Sequence, residues 1–435
     1  MLIQGTRKRI LIIGGGASGT LLALELIRRI ESPLDLDIAE PRIQLGQGVA
    51  YGTQDNRHLL NVVASKMSAK HEEPEHFVMW GKFTPEEFAP RAQYGNYLND
   101  VLQESLLSAG NLVSFRHLNN LVKDFTVKDS NVSVEFESGQ FEKYHFVVLA
   151  VGHSSIQIPD VIKNIPDSPS VIVDVWKKRE YGLHEIVLSV GTGLTFIDQA
   201  LTVLDTSQNT TVIGISRGGY IPKEHDSIRA PAINPPVDEI NSPELLMNYM
   251  LQAGDKWRET QDGLRSITQG IWERFSEGEK LNWMKKYSRE WNRHRFRMSP
   301  ENYKQIKQYE SQGRLRLIAT ELESIQNLDG AIIVGLKNGE TLKVDLVLNC
   351  CGNALESDQS LIRTLIDKNC LMRGPLGMGL SFDLQSFSLR KPDDSFHEKV
   401  FALGPILVGE LFEPLGIPEI RAQAVRLAAK LLDLI

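Results

Sequence analysis

Three cysteines stand in 435 residues. So few exclude a disulfide-stapled scaffold and fit a reducing compartment. Lying at 350, 351 and 370, they make no C-x-x-C or C-x-x-x-x-C pair, which counts against a dithiol redox centre. There is no H-E-x-x-H and no run of acidic ligands, so no metal site is expected. No apolar run reaches 18 residues, and no membrane-spanning helix or membrane partner is expected. The residues ahead of the first apolar run are too short and too polar for a secretory leader, which makes the cytoplasm the expected location. Positive charge is also scarce. Lys and Arg number 48 against 55 Asp and Glu, a net charge of −7. That balance, with no extended basic stripe, disfavours nucleic acid as a partner.

What is present is ordinary for a soluble globular chain, 42% apolar and 24% charged, and long enough for two or three domains. The informative stretch is Ile10-Leu11-Ile12-Ile13-Gly14-Gly15-Gly16-Ala17-Ser18-Gly19. Four apolar residues run into a G-x-G-x-x-G turn, and Leu21, Leu22, Leu24, Ile27 and Ile30 then follow at helical spacing. Free backbone N–H groups at such a helix start, aided by the helix dipole, suit a pyrophosphate. Glu40 closes the next apolar run, where a carboxylate suits ribose hydroxyls.

The pattern recurs. Residues 185–198 give a second strand, the turn Gly191-Thr192-Gly193-Leu194-Thr195, and a helix. Phe196 replaces the third glycine, so looser packing of helix on strand is expected there. The following strand ends in Ser216-Arg217 rather than an acid. A carboxylate would repel a 2′-phosphate; arginine and serine favour it, which selects NADPH over NADH.

Between these turns, residues 42–69 have no helical or strand period, and long ordered loops are usually functional. Residues 91–109 read as an amphipathic helix. Alternating strands follow, and Phe146–Leu149 leads to Ala150-Val151-Gly152. Residues 228–312 begin prolyl (Pro231, Pro235, Pro236) and become helical, with four of the six tryptophans and many arginines. Cationic aromatic helices of this kind either line a pocket for an anion or form a plain helical subdomain. A second meander, with turns at Asp329-Gly330 and Asn338-Gly339, leads to a strand ending in Cys351-Gly352. Gly404-Pro405 and a helix over 419–433, with Pro418 in its first turn, close the chain.

Together these runs resemble two-dinucleotide-binding flavoproteins, in the order found in flavin-containing and N-hydroxylating monooxygenases. The runs Gly48-Val49-Ala50-Tyr51-Gly52, His58-Leu59-Leu60-Asn61-Val62 and His294-Arg295-x-Arg297-Met298 are similar to a bacterial FAD/NAD(P)-binding oxidoreductase family with relatives that N-oxidise amino acids. The resemblance implies an α/β fold with two Rossmann-like domains, small antiparallel meanders and a helical insertion. Its expected boundaries are an FAD domain over 1–165, an NAD(P)H domain over 166–340 with the insertion at about 228–312, and a return to the FAD domain over 341–435.

It further implies FAD on Gly14–Gly19, Glu40, Gln47, Tyr51, His58, Leu59, Asn61, Met67, Ser68, Gly152, Gly352, Gly404, Pro405, Pro418, Glu419 and Arg421. NADPH would sit on Gly191–Thr195, Ser216 and Arg217. Asn61, His294 and Arg295 are the catalytic candidates, and Arg91, His294, Arg295 and Arg297 the contacts for an anionic small-molecule substrate. The implied reaction is nitrogen or heteroatom oxidation with molecular oxygen through a C4a-hydroperoxyflavin. A reductase passing electrons to another acceptor, and a non-enzymatic dinucleotide-binding regulator, are the competing readings. No oligomeric state follows from the sequence.

Overall fold

The computed structural model describes residues 7–152, 156–163, 165, 168–177, 181–225, 232–233, 235–265, 267–328, 331–353 and 359–435. The expected features at Asp329-Gly330 and Pro231 lie outside them.

The first unit begins with β1 (Lys8–Ile13), α1 (Ala17–Arg29), β2 (Leu34–Ala39), α2 (His76–Gly81), α3 (Arg91–Ala109) and β3 (Val113–Leu118). A meander of β4 (Val122–Val127), β5 (Val132–Phe136) and β6 (Phe141–Tyr144) then leads to β7 (Phe146–Leu149). After α4 (Asp160–Lys163) and β8 (Val171–Ile172), the same order restarts with β9 (Ile186–Val190), α5 (Leu194–Thr206) and β10 (Thr211–Ser216). A long insertion intervenes: β11 (Lys223–Glu224), α6 (Pro243–Gln252), α7 (Trp257–Leu264), α8 (Thr268–Arg274), α9 (Glu277–Lys286), α10 (Ser288–Arg295), β12 (Arg297–Met298) and α11 (Pro300–Ser311). The second unit resumes with β13 (Leu315–Ala319), a meander of β14 (Leu322–Leu328), β15 (Ala331–Leu336) and β16 (Thr341–Val344), and then β17 (Leu346–Asn349). The chain ends with α12 (Ser360–Asp367), β18 (Ser388–Arg390), β19 (Phe396–Ala402) and α13 (Ile417–Leu432).

Two sheets result. One runs β18-β19-β7-β1-β2-β3 and the other β13-β10-β9-β17-β8. Their centres match, because β7-β1-β2-β3 and β17-β9-β10-β13 have the same order and the same parallel sense. Each meander sits between the third and fourth strands of its unit. Parallel strands covered on both faces read as continuous apolar runs. That is why Ile10–Ile13 and Val147–Leu149 are wholly buried. Each such side chain contributes about 1.5–3 kcal/mol on burial. In the first unit α1 packs between α3 and α13.

Three expectations need adjustment. Leu346–Asn349, expected in the returning first unit, pairs with β9 and β8 of the second sheet. Return to the first sheet waits for β18 and β19. The packing of α5 on its sheet is not loose. Phe196 is fully buried, and the glycine has moved to the partner strand: a Cβ on Gly214 would lie 3.0 Å from the Phe196 ring. The insertion has a core of its own. Trp257, Trp272, Trp283 and Trp291 are all buried, with Phe412 ring-to-ring against the last three. Their first role is therefore packing, as in a plain helical subdomain.

Candidate active site

The strand ends of both sheets open onto one cleft of about 1600 Å³. Sites for a single small ligand span roughly 300–1,000 Å³, so this cleft has room for more than one.

Two strand–glycine–helix junctions stand at its ends. Gly14 has φ +103°, and a Cβ there would sit 2.5 Å from the Ala150 carbonyl oxygen. Gly191 has φ +102°, and its Cβ would sit 2.4 Å from the Cys350 oxygen. Each first glycine thus lets the turn pass under the end of the adjacent strand. Gly152 and Gly352, just beyond those strand ends, both have left-handed φ, with open space where a side chain would be. Gly16 and Gly193 are the N-caps of α1 and α5, and neither helix start is capped by a side chain. The N–H groups of both starts therefore remain available to an anion. A diphosphate fits both places on this ground. Gly14, Gly16, Ala17 and Ser18 line the cleft at one end, and Gly191–Thr195 at the other.

The strands beside these turns end differently. Glu40, at the end of β2, is buried; Oε2 accepts from the Gly15 N–H at 3.0 Å and Oε1 from Arg42 at 3.0 and 3.1 Å. At the matching end of β10, Ser216 accepts from Thr192 Oγ1 at 2.8 Å and from the Gly219 N–H at 3.1 Å. Arg217 is exposed on the cleft and makes no ion pair among the described residues. Gly214–Gly218 also spells G-x-S-x-G, a pattern not drawn from the sequence. A turn rather than a helix follows Ser216, so no nucleophile elbow forms.

Loop 42–69 crosses between the units. Gln47, Tyr51, His58 and Asn61 line the cleft. The Tyr51 ring meets Tyr94 edge-on at 4.7 Å, and burial raises its hydroxyl to a pKa of about 12, so it stays protonated. His58 bridges the units: Nδ1 meets Thr53 Oγ1 at 2.8 Å and Nε2 meets Thr202 Oγ1, on α5, at 2.9 Å. Burial lowers its pKa and keeps the ring neutral. Arg57 joins the same contact, reaching Asp55 at 2.6 Å and Asp205 at 3.1 Å.

The remaining wall comes from α10 and the segment before α13. Arg295 Nε lies 2.6 Å from Glu413 Oε1, which also accepts from Trp291 Nε1 at 2.7 Å. Arg289, Asn292 and Arg293 face the cleft from the same helix.

Several candidates do not line the cleft. His294 stacks on Trp257 at 4.0 Å and bonds Glu290 at 2.8 Å; it is not placed for catalysis or substrate contact. Arg297 is buried, donating to the His294 and Glu224 carbonyls, so it organises the chain rather than meeting a ligand. Arg91 does line the cleft, but its guanidinium faces buried Asp198 at 3.1 Å and its Nε donates to the Leu59 carbonyl. Gly15 and Gly19 allow close packing instead of touching the cleft: a Cβ would lie 2.4 Å from Leu45 Cδ2 and 2.0 Å from the Gly14 oxygen, respectively. Leu59, whose carbonyl accepts from Arg91, and buried Met67 belong to the loop but do not line the cleft. Ser68 is fully buried, its hydroxyl spent on the Lys70 and Glu73 carbonyls and its own carbonyl on Arg421. Gly404 donates to Gln423 at 2.7 Å. Pro418 opens α13, and Glu419 pairs with Arg265 at 2.5 Å. These residues hold the wall from behind, and Pro405 alone of the 404–421 candidates lines it.

Asp198, Arg42 and Glu413 were not singled out by sequence reasoning, and Arg289 only as one of the many arginines of the helical region. The spacing of Arg289 and Asn292 along α10 was the one signal that could have found any of them. The thiols are unsuited to redox work: burial pushes Cys350 up to about 12 and Cys351 to about 11. No cluster of metal-ligating side chains occurs among the described residues, and no helix there is long and apolar enough to cross a membrane.

Residues 11–154 match a family model described as FAD-NAD(P)-binding. No curated protein matches the chain by sequence. Solved structures match it end to end. The reduced ornithine hydroxylase of Pseudomonas aeruginosa is 13% identical, with 98% of this chain and 99% of that one covered and a TM-score of 0.64. The ornithine N-hydroxylase of Kutzneria sp. 744, solved with reduced FAD, NADP+ and L-ornithine, is 14% identical, with the same coverage and a TM-score of 0.61. The thioredoxin reductase of Lactococcus lactis is 12% identical, with 99% and 100% covered and a TM-score of 0.56. The likeness is one of fold, and the fold is that of two-dinucleotide-binding flavoproteins.

Proposed function

We propose that this chain is an FAD- and NADPH-dependent monooxygenase of the cytoplasm that oxidises the nitrogen of a small, carboxylate-bearing amine. One observation carries the reading: two glycine turns, each leading into an uncapped helix start, open onto a single cleft large enough for two dinucleotides. The neighbours that pair this fold with ornithine oxidation support the choice of reaction.

In this reading Gly14, Gly16, Ala17 and the start of α1 hold the FAD diphosphate, and Glu40 with Arg42 meets its ribose. Tyr51, Asn61, Gly152 and Pro405 line its path along the cleft. Gly191–Thr195 and the start of α5 hold the NADPH diphosphate, with Arg217 and Ser216 at the 2′-phosphate. Bound flavin supplies hydride acceptance from the nicotinamide and reaction with oxygen. The protein aligns the two cofactors and keeps water from the reacting centre. A disulfide reductase is disfavoured, because Cys350 is buried, Cys351 is half-buried, and both are protonated and adjacent in sequence.

The test is spectroscopic and then chemical. Purified protein should be yellow and release FAD on denaturation. It should oxidise NADPH faster when a suitable amine is added, consume oxygen and yield an N-oxygenated product. Turnover with an added electron acceptor under anaerobic conditions, with no oxygenated product in air, would establish the reductase instead. A colourless protein that takes up no FAD ends both readings.

A further inference from the structure

The wall formed by α10 and residues 408–415 carries a charge pair that packing leaves half used. Glu413 Oε1 holds Arg295 Nε at 2.6 Å and Trp291 Nε1 at 2.7 Å. Glu413 Oε2 and both terminal nitrogens of Arg295 have no hydrogen-bond or ion-pair partner among the described residues, although the guanidinium lies over the Phe296 ring at 4.9 Å. Both side chains are mostly buried, 16% and 23% exposed, yet both line the cleft. The indole and the guanidinium Nε fix the carboxylate from one side, so its second oxygen has little freedom. One acceptor and one forked donor therefore stand side by side.

We propose that this pair is the seat of an α-amino acid, with Glu413 taking the ammonium and Arg295 the carboxylate. An α-amino acid is the small molecule whose cation and anion are separated by one carbon, the same proximity this pair presents. The arginine fork matches a carboxylate through two parallel hydrogen bonds. The surroundings also restrict the side chain. Among lining residues of the insertion and of 378–420, Glu413 is the one carboxylate, and Arg289 and Arg293 add positive charge. A second ammonium would find no second carboxylate there, only the neutral Ser288 and Asn292, and two cations nearby. Met284, Leu411, Phe412 and Leu415 offer apolar surface instead. The charges therefore exclude a cationic side chain and the apolar surface selects an uncharged one, in contrast to the diamino acid of the ornithine hydroxylases. That this seat presents the amine for oxidation rests on the flavoenzyme reading; the binding itself does not.

Calorimetric titration of the purified protein tests it. The probes are neutral L-α-amino acids such as L-leucine and L-phenylalanine, their decarboxylated amines, their deaminated acids, L-ornithine and L-lysine. At least one neutral amino acid should bind about 10-fold or more tighter than its amine, its acid and both diamino acids. Glu413→Gln and Arg295→Gln should each weaken that binding by about 10-fold or more, and Arg295→Lys, which keeps charge without the fork, should fall between. Bound FAD and the melting temperature serve as folding controls for each variant. The proposal is overturned if no neutral amino acid binds, if a diamino acid or a plain amine binds as tightly, or if well-folded variants bind like the parent. A colourless protein that still binds the amino acid keeps the seat and removes the flavin reading.

Discussion

Gly14 and Gly191 occupy equivalent places and hold equivalent backbone conformations. A side chain at either costs about 1–2 kcal/mol for the left-handed φ alone. It also drives a Cβ to within 2.5 Å of a carbonyl oxygen. Gly14→Ala should therefore lower the FAD content of purified protein, measured by absorbance, by about 10-fold at sub-saturating FAD. Gly191→Ala should leave FAD bound and raise the KM for NADPH. Arg217 makes no competing ion pair among the described residues, so its charge is available to a phosphate. Arg217→Ala should raise the KM for NADPH by about 10-fold, from the ~1.5–3 kcal/mol of a charge-assisted hydrogen bond, and barely alter that for NADH. Steady-state kinetics with both nucleotides decides it. The two glycine turns and the place of Arg217 on the cleft were legible because such positions are set locally. His294 and Arg297 were not, because a cationic helix end says nothing of which side chains turn inward.

At the scale of elements, the contact of loop 53–61 with α5 ties one unit to the other. Its members are Asp55, Arg57, His58, Thr202 and Asp205, with Asp198 and Arg91 beneath them. Burial raises Asp198, and Arg91 opposes this. Removing one partner of so buried a pair typically costs about 3–5 kcal/mol. Asp55 behaves in the opposite way. Burial raises its pKa, but hydrogen bonds from Arg57 and Thr202 together outweigh that and hold it well below the usual carboxylate range. A depressed folded pKa stabilises above the ordinary aspartate value, near ~4, and that stability is lost as pH falls through the folded value. Between about pH 4 and lower, the contact should weaken. Asp55→Asn should make stability to urea less steeply pH-dependent in that window, with little change in slope above pH ~6. The insertion is joined to the first unit by Phe412 in its tryptophan core and by polar contacts: Trp272 donates to the Gly409 carbonyl at 3.0 Å, and Arg265 pairs with Glu419. These contacts join residues more than a hundred positions apart, and no periodicity reveals them.

In the molecule as a whole, one cleft receives both sheets, the crossing loop and the insertion. A ligand filling it touches several elements at once, so binding should stabilise them together. Saturating FAD, at about 100 times its Kd, should add ~2.7 kcal/mol to the stability of the protein stripped of flavin. The melting temperature should rise with FAD concentration, and the rise should shrink in Gly14→Ala. Scanning calorimetry gives both. The order of strands, the duplicated glycine turns and the acid–arginine contrast between Glu40 and Arg217 are properties of the sequence by itself. Each arises from local rules: which residues tolerate left-handed φ, which runs are apolar enough for a buried parallel strand, which charge a phosphate accepts. Tertiary structure decided the rest. It moved Leu346–Asn349 to the second sheet, spent Arg91 on Asp198, turned the tryptophans into a core, and set Glu413 beside Arg295. The reason is physical. Hydrogen-bond and ion-pair partners are chosen by distance in the folded chain, and a sequence states distance only along itself.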